Sequence, residues 1–154
     1  MRKFRIAELE QHSGSSYPAP FDEPCLARSW QGLAAAGELT QFGVNQVRLK
    51  PGGWSSQRHW HSHEDELVIM LEGEAVLVTD EGESVMRPGE AAAFPAGERN
   101  GHHLQNRSDA DCVFLAIGSR SDEDAGEYPD IDLRVRPGRY SKPAVFTKKR
   151  DEPY

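Results

Sequence analysis

Short apolar runs, broken at close intervals by glycine and proline, occupy the middle of the chain and predict β-strands joined by tight turns. The expected strands are Gln46–Lys50, Gln57–His61, Glu66–Leu71, Glu74–Thr79, Glu83–Arg87, Ala91–Phe94, His102–Asn106 and Cys112–Gly118. Between them stand Pro51-Gly52-Gly53, Gly73, Asp80-Glu81-Gly82, Pro88-Gly89, Pro95-Ala96-Gly97 and the polar stretch from Arg107 to Asp111. These residues pre-set or permit turn backbone. About eight strands at that spacing predict an all-β antiparallel barrel or jelly roll.

One strand differs from the rest. In Glu66–Leu71 the side chains of Glu66, Val68 and Met70 share one face, and Leu67, Ile69 and Leu71 share the other, so both faces call for cover. The outer cover is expected from the region between Phe4 and Trp30 or from a second copy, and a homodimer is the preferred expectation. Residues 1–40, with the Pro-interrupted polar stretch Gln11–Pro24, are expected to add an arm, a strand or a short helix. They are too irregular for a helix-turn-helix domain. Residues 41–120 form the barrel, and residues 121–154 an extended C-terminal tail packing on the barrel or on a partner subunit.

Composition narrows the function classes. At 154 residues the chain has room for one ordinary domain, and its apolar fraction of 37% suffices for a small barrel core. The net charge of −7 repels a phosphate backbone, so nucleic acid is not an expected partner. The charge is uneven, with acids concentrated in residues 64–90 and 109–132 and a basic tail from Arg134 to Tyr154. The simplest partner for that tail is the chain's own acidic surface or a second copy. No apolar run approaches the ~20 residues of a membrane span, and Glu8 and Glu10 interrupt any signal-like start, which predicts a cytoplasmic protein without membrane contact. Cys25 and Cys112 are read as structural thiols.

Five of the six histidines fall in two clusters, His59-Trp60-His61-Ser62-His63 and His102-His103. Side chains at i and i+2 of a strand share a face, so His59 and His61 can aim two imidazoles at one point. A hairpin-like return can bring the Glu66 carboxylate beside them. A His-x-His pair alone also suits a half-buried strand with satisfied rings.

Spacing adds to that reading. Gly53-x5-His59-x-His61-x4-Glu66-x6-Gly73 resembles the first motif of the cupin superfamily at every fixed position. Gly89-x5-Pro95-x-Gly97-x4-His102-x3-Asn106 resembles the second, with two extra residues between the turn and the histidine. Asn100 stands at the usual ligand spacing, but His102 keeps the interval to Asn106. The resemblance implies a double-stranded β-helix barrel holding one divalent metal ion per chain on His59, His61, Glu66 and His102, with Asn100 and His103 as lesser candidates. The wider wording is similar to small bacterial single-domain cupins that are commonly labelled sugar-phosphate-isomerase-like.

Such nitrogen and oxygen donors suit Fe, Mn, Ni, Co or Zn. The expected ligand is a small oxygen-rich compound, sugar-like, hydroxy- or oxo-, neutral or weakly anionic. The expected function is a metalloenzyme with Lewis-acid isomerase or lyase chemistry, or dioxygenase-type chemistry. The alternative is a non-catalytic metal-dependent binding or sensing module, and the absence of a DNA-binding domain favours the enzyme. His63 and Gln57 are the candidates for catalytic groups, His63 as a base or a rim residue and Gln57, with Leu104, on the pocket wall. Glu64 and Asp65 read as solvated charges in an acidic turn. Cations for a phosphate would have to come from Arg58, Arg87, Arg99 or Arg107.

Overall fold

The structure is a computed structural model that describes residues 1–154. Thirteen strands are present: β1 (His12–Ser13), β2 (Arg28–Gly32), β3 (Phe42–Leu49), β4 (Trp60–His61), β5 (Glu66–Glu72), β6 (Ala75–Thr79), β7 (Gly82–Met86), β8 (Ala91–Phe94), β9 (His103–Gln105), β10 (Cys112–Ser119), β11 (Gly126–Tyr128), β12 (Leu133–Val135) and β13 (Phe146–Thr147). A single helical turn, α1 (Leu33–Ala36), links β2 to β3. All strand pairs are antiparallel.

Two layers result. One is a six-stranded sheet in the order β1-β2-β3-β10-β5-β8. The facing layer consists of β7-β6-β9 and β13-β12-β11-β4, joined by a bridge between His59 and His102. This is the expected jelly roll, and inward side chains of both layers form its core: Val47, Leu49, Val68, Met70, Ala75, Met86, Leu104, Cys112 and Phe114. Gly73 makes the turn between β5 and β6 with φ +67°, and a Cβ there would lie 2.5 Å from the Asp111 carbonyl oxygen. Only glycine meets both conditions. No helix is long and apolar enough to cross a membrane.

Strand boundaries differ from expectation at β3 and β4, and the strands near the C-terminus were not expected. β3 begins four residues early, and the expected strand Gln57–His61 is reduced to Trp60–His61. The unforeseen strands β11 and β12 do alternate, with Gly126, Tyr128, Leu133 and Val135 buried and Glu127 and Arg134 less so. Their three-residue length, amid dense charge, hides that alternation. Together with Tyr17, Phe21, Ile131 and Phe146 they build a second apolar cluster, of which Tyr17, Tyr128, Val135 and Phe146 face the barrel cavity.

The N-terminal arm is one of the two covers expected for β5. Gln31 Nε2 donates to the carbonyls of Ile6 (2.7 Å) and Leu9 (3.1 Å), which lays the arm over β2 and β3. On the outer face beyond it, Leu67 and Ile69 remain half-buried and Leu71 is exposed.

Candidate metal centre

Strand register brings the histidines together. His59 and His102 are directly opposed and exchange both backbone hydrogen bonds, at 3.2 and 2.9 Å, so their side chains emerge side by side. His61 follows two residues on, opposite Gly126 of β11. Glu66 begins β5 in the facing layer, flanked by Phe94 and Gly118.

Each ring is oriented by an acceptor on its outer nitrogen. His59 Nδ1–H donates to the Gln57 carbonyl (2.9 Å), His61 Nδ1–H to Asp124 Oδ2 (2.8 Å), and His102 Nδ1–H to the Asn100 carbonyl (3.3 Å). All three Nε2 atoms therefore turn inward. His59 Nε2 and His61 Nε2 lie 3.1 Å apart, and Glu66 Oε2 lies 3.8, 3.6 and 3.2 Å from the Nε2 atoms of His59, His61 and His102. Two lone pairs facing at 3.1 Å repel unless a proton or cation sits between them. Donors bound to one ion at ~2.0–2.1 Å are separated by about 3 Å, so the residues fit a divalent ion.

Electrostatics agree with that fit. Burial, reinforced by the neighbouring His61, pushes His59 down to about 3 and keeps it neutral. Burial also opposes charge on His61, but its hydrogen bonds with Asp124 and Glu66 outweigh this and lift it to about 9. Glu66 is held well below the carboxylate range because His102 and His61 overcome its burial. A cluster that stabilises a carboxylate and one positive charge in the interior suits a cation.

The donors lie in a cavity of about 380 Å³ whose walls include Val68, Leu77, Phe94, Leu104 and Tyr128. Phe94 stacks on His102 with ring centroids 3.5 Å apart, and Tyr128 stacks on His59 at 5.8 Å. Apolar rings packed on imidazoles restrict their rotation and exclude water from one side of the donors.

Several expectations need correction. The Gln57 side chain does not line the cavity; its Nε2 donates to the Phe21 carbonyl at 2.7 Å, because the N-terminal segment needs an anchor there. His63 lies outside the cavity, hydrogen-bonded to Ser62 Oγ. His103 lines it but has both nitrogens engaged, Nδ1–H with the Ser56 carbonyl and Nε2 with Gln105, each at 2.9 Å. The Asn100 side chain instead accepts from the Asp80 amide at 2.9 Å. The two extra residues of the second motif include Gly101, where a Cβ would lie 2.7 Å from Pro129. The insertion thus lets the C-terminal segment approach beside His102.

Glu64 is not solvated. It is 4% exposed and bound by Arg139, by the Tyr140 hydroxyl (3.1 Å) and by the Ser121 amide (2.8 Å). Arg139 also lies 3.0 Å from Asp124. The four arginines expected near a phosphate are engaged elsewhere. Arg58 clamps Asp130 and Asp80, Arg87 meets Glu74, Arg107 meets Glu83, and Arg99 lies over Trp60. Arg28 and Arg139 line the cavity instead. Nothing in the pattern around Asp124, Arg139 or Arg28 singled them out, since each sits in a short or irregular segment.

Comparison with known proteins matches residues 45–118 to the cupin domain. A solved structure from Silicibacter pomeroyi, described as a sugar phosphate isomerase from a cupin superfamily, is 43% identical. It superposes with a TM-score of 0.94 over 99% of this chain and 96% of its own. A putative sugar phosphate isomerase from Acidithiobacillus ferrooxidans is 26% identical, with a TM-score of 0.72 over 82% of this chain and 80% of its own. A polyketide cyclase from Streptomyces resistomycificus, 24% identical, shares the fold with a TM-score of 0.60 over 77% of this chain and 79% of its own. No curated protein matches the sequence.

Proposed function

The chain belongs to the cupin superfamily, and from that premise we propose that it is a metal-dependent enzyme acting on a small, oxygen-rich, sugar-like hydroxy or oxo compound. In this reading His59, His61, Glu66 and His102 hold one divalent ion, drawn from Fe, Mn, Ni, Co or Zn. The observation that carries it is the inward turn of three Nε2 atoms, each fixed by an acceptor on Nδ1, around one carboxylate in a walled cavity.

A bound ion would supply Lewis acidity toward substrate oxygens. The chain's own contribution is orientation and exclusion. Glu66 offsets part of the cation's charge, Asp124 and the Gln57 and Asn100 carbonyls fix the rings, and Phe94 and Tyr128 keep water from one side. The names of the Silicibacter and Acidithiobacillus relatives favour isomerase chemistry over oxygenation.

The test begins with protein purified untagged under anaerobic conditions. Metal per chain is measured by mass spectrometry for the wild type, His59→Ala and His102→Ala. Aldose–ketose interconversion is then followed by NMR, with oxygen uptake monitored in parallel. About one ion per chain, lost in both variants, with metal-dependent interconversion supports the reading. Oxygen uptake without interconversion moves the chemistry to a dioxygenase, and no metal after reconstitution refutes the site.

We further propose that a second copy covers the outer face of β5, β8 and β10. Leu67 pairs with Ile117 and Ala93, and Ile69 with Leu115 and Ala91, giving a strip without charged side chains that the arm does not reach. A homodimer buries it without burying charge.

A further inference from the structure

Arg28 is the one arginine of the cavity that makes no ion pair. It lies on β2 opposite Leu49, a fully buried core residue, so register turns its side chain into the barrel. There it lines the cavity that holds His59, His61, Glu66 and His102. The guanidinium rests over the Trp30 ring, 4.5 Å from its centroid. Its Nε is buried without a hydrogen-bond partner, and the group makes no ion pair. Arg139, the other guanidinium of the cavity, is paired with both Glu64 and Asp124.

The difference between the two arginines is physical. A buried charge is costly unless an opposite charge and hydrogen bonds compensate it, and a ring face compensates only in part. Burial accordingly pushes Arg28 below its ordinary range. Glu66 is the only carboxylate lining the cavity, and the proposed ion claims it. A guanidinium held over a ring keeps its N–H edge for acceptors in its own plane, the geometry that carboxylate and phosphoryl oxygens satisfy two at a time. Ser15, Ser16, Asn45 and Ser55 line the same space and offer hydroxyl and amide groups.

We infer that Arg28 forms an anion subsite, so that the substrate of the proposed centre carries a carboxylate or phosphoryl group which docks on Arg28 while its hydroxyl or carbonyl oxygens face the His59, His61, Glu66 and His102 cluster. The inference deepens the metalloenzyme reading and rests on it for the second half of that placement. It revises the sequence-based expectation of a neutral or weakly anionic ligand.

The test is calorimetric titration of the full chain with inorganic phosphate, with acetate, and with erythritol as an uncharged control. Wild type, Arg28→Gln, Arg28→Lys and the ligand variant His59→Ala are compared, with metal content measured for each. The expected result is saturable binding of at least one anion to wild type and His59→Ala, and no binding of erythritol in His59→Ala. Arg28→Gln should bind that anion roughly 10- to 100-fold more weakly with unchanged metal content. Arg28→Lys, which keeps the charge but not the fork, should fall between, and it carries the test if Arg28→Gln fails to fold. Tighter phosphate identifies a phosphoryl group, tighter acetate a carboxylate. Anion binding unchanged in Arg28→Gln, absent from wild type, or lost in His59→Ala while surviving in Arg28→Gln would overturn the subsite, and the last would leave the metal reading intact. Anion binding that depends on Arg28 in a wild type without metal would support the subsite and refute the metal centre.

Discussion

His61 Nδ1 and Asp124 Oδ2 lie 2.8 Å apart although 63 residues separate them in the chain. Asp124 is fully buried and also accepts from the His63 amide at 2.9 Å, while Arg139 balances its charge. Those contacts fix the carboxylate, and the carboxylate fixes the imidazole so that Nε2 faces Glu66. Removing the acceptor frees the ring to rotate and makes its inner nitrogen a poorer donor. Asp124→Asn should therefore lower metal affinity about 10- to 100-fold without removing any of the four proposed ligands. Competition with a chelator of known affinity measures this, and an affinity equal to wild type would refute the role.

The choice between His102 and His103 gives a sharper contrast. His102 turns Nε2 toward Glu66 at 3.2 Å, whereas both nitrogens of His103 are engaged by Ser56 and Gln105. His102→Ala should release most of the metal, and His103→Ala should retain it near the wild-type stoichiometry. His103→Ala should still be less stable, since it leaves Gln105 and the Ser56 carbonyl without their partner, at about 1–3 kcal/mol. Metal analysis beside urea melts reads both effects. The reverse order of metal loss would move the ligand to His103.

The barrel was legible where its physics is local. Turn residues at Pro51-Gly52-Gly53, Gly73 and Pro88-Gly89 delimit strands whose alternation survives in the burial of Val68 and Met70. His59, His61 and Glu66 were legible because strand parity and motif spacing both concern residues close together in the chain, although β4 and β5 lie in opposite layers and form no hairpin. Asp124, Arg139 and Arg28 were not. Asp124 and Arg139 act through partners far along the chain, as Arg139 does on Glu64 at a separation of 75 residues, and no periodicity encodes such pairs. Glu64 was misread for the same reason, since an acidic turn looks solvated until its distant guanidinium is in place. The uncompensated charge of Arg28 shows only once the neighbours of its side chain are known.

The two thiols make stability depend on alkaline pH. Burial lifts both Cys25 and Cys112 from 9.0 to about 11. Between those values the unfolded chain has lost protons that the folded chain keeps, so stability is full below pH 9 and falls as pH rises through 11. The ceiling of the loss is about 2–3 kcal/mol per thiol. Urea midpoints from pH 8 to 11 should fall more steeply for wild type than for Cys25→Ala/Cys112→Ala, which lacks both ionisations. Parallel slopes would show that the thiols do not contribute.

The outer sheet face bears on assembly. Leu67, Ile69, Leu115 and Ile117 lie on the face opposite the core, because their neighbours Val68, Phe114 and Ala116 point into the barrel. The N-terminal arm is anchored over β2 through Gln31, and Leu67, Ile69 and Leu71 keep part of their surface in water. Apolar surface of this kind is removed from water most readily by a copy of itself, since a two-fold axis sets the same strip on both sides. Light scattering across the micromolar range should give twice the 17.2 kDa chain mass. Ile117→Lys, which places a charge in the strip beside Leu67 and leaves the core untouched, should give the single-chain mass with the metal content of the wild type. A wild type that scatters as a single chain at every concentration would refute the dimer, and an Ile117→Lys variant that remains dimeric would place the interface elsewhere.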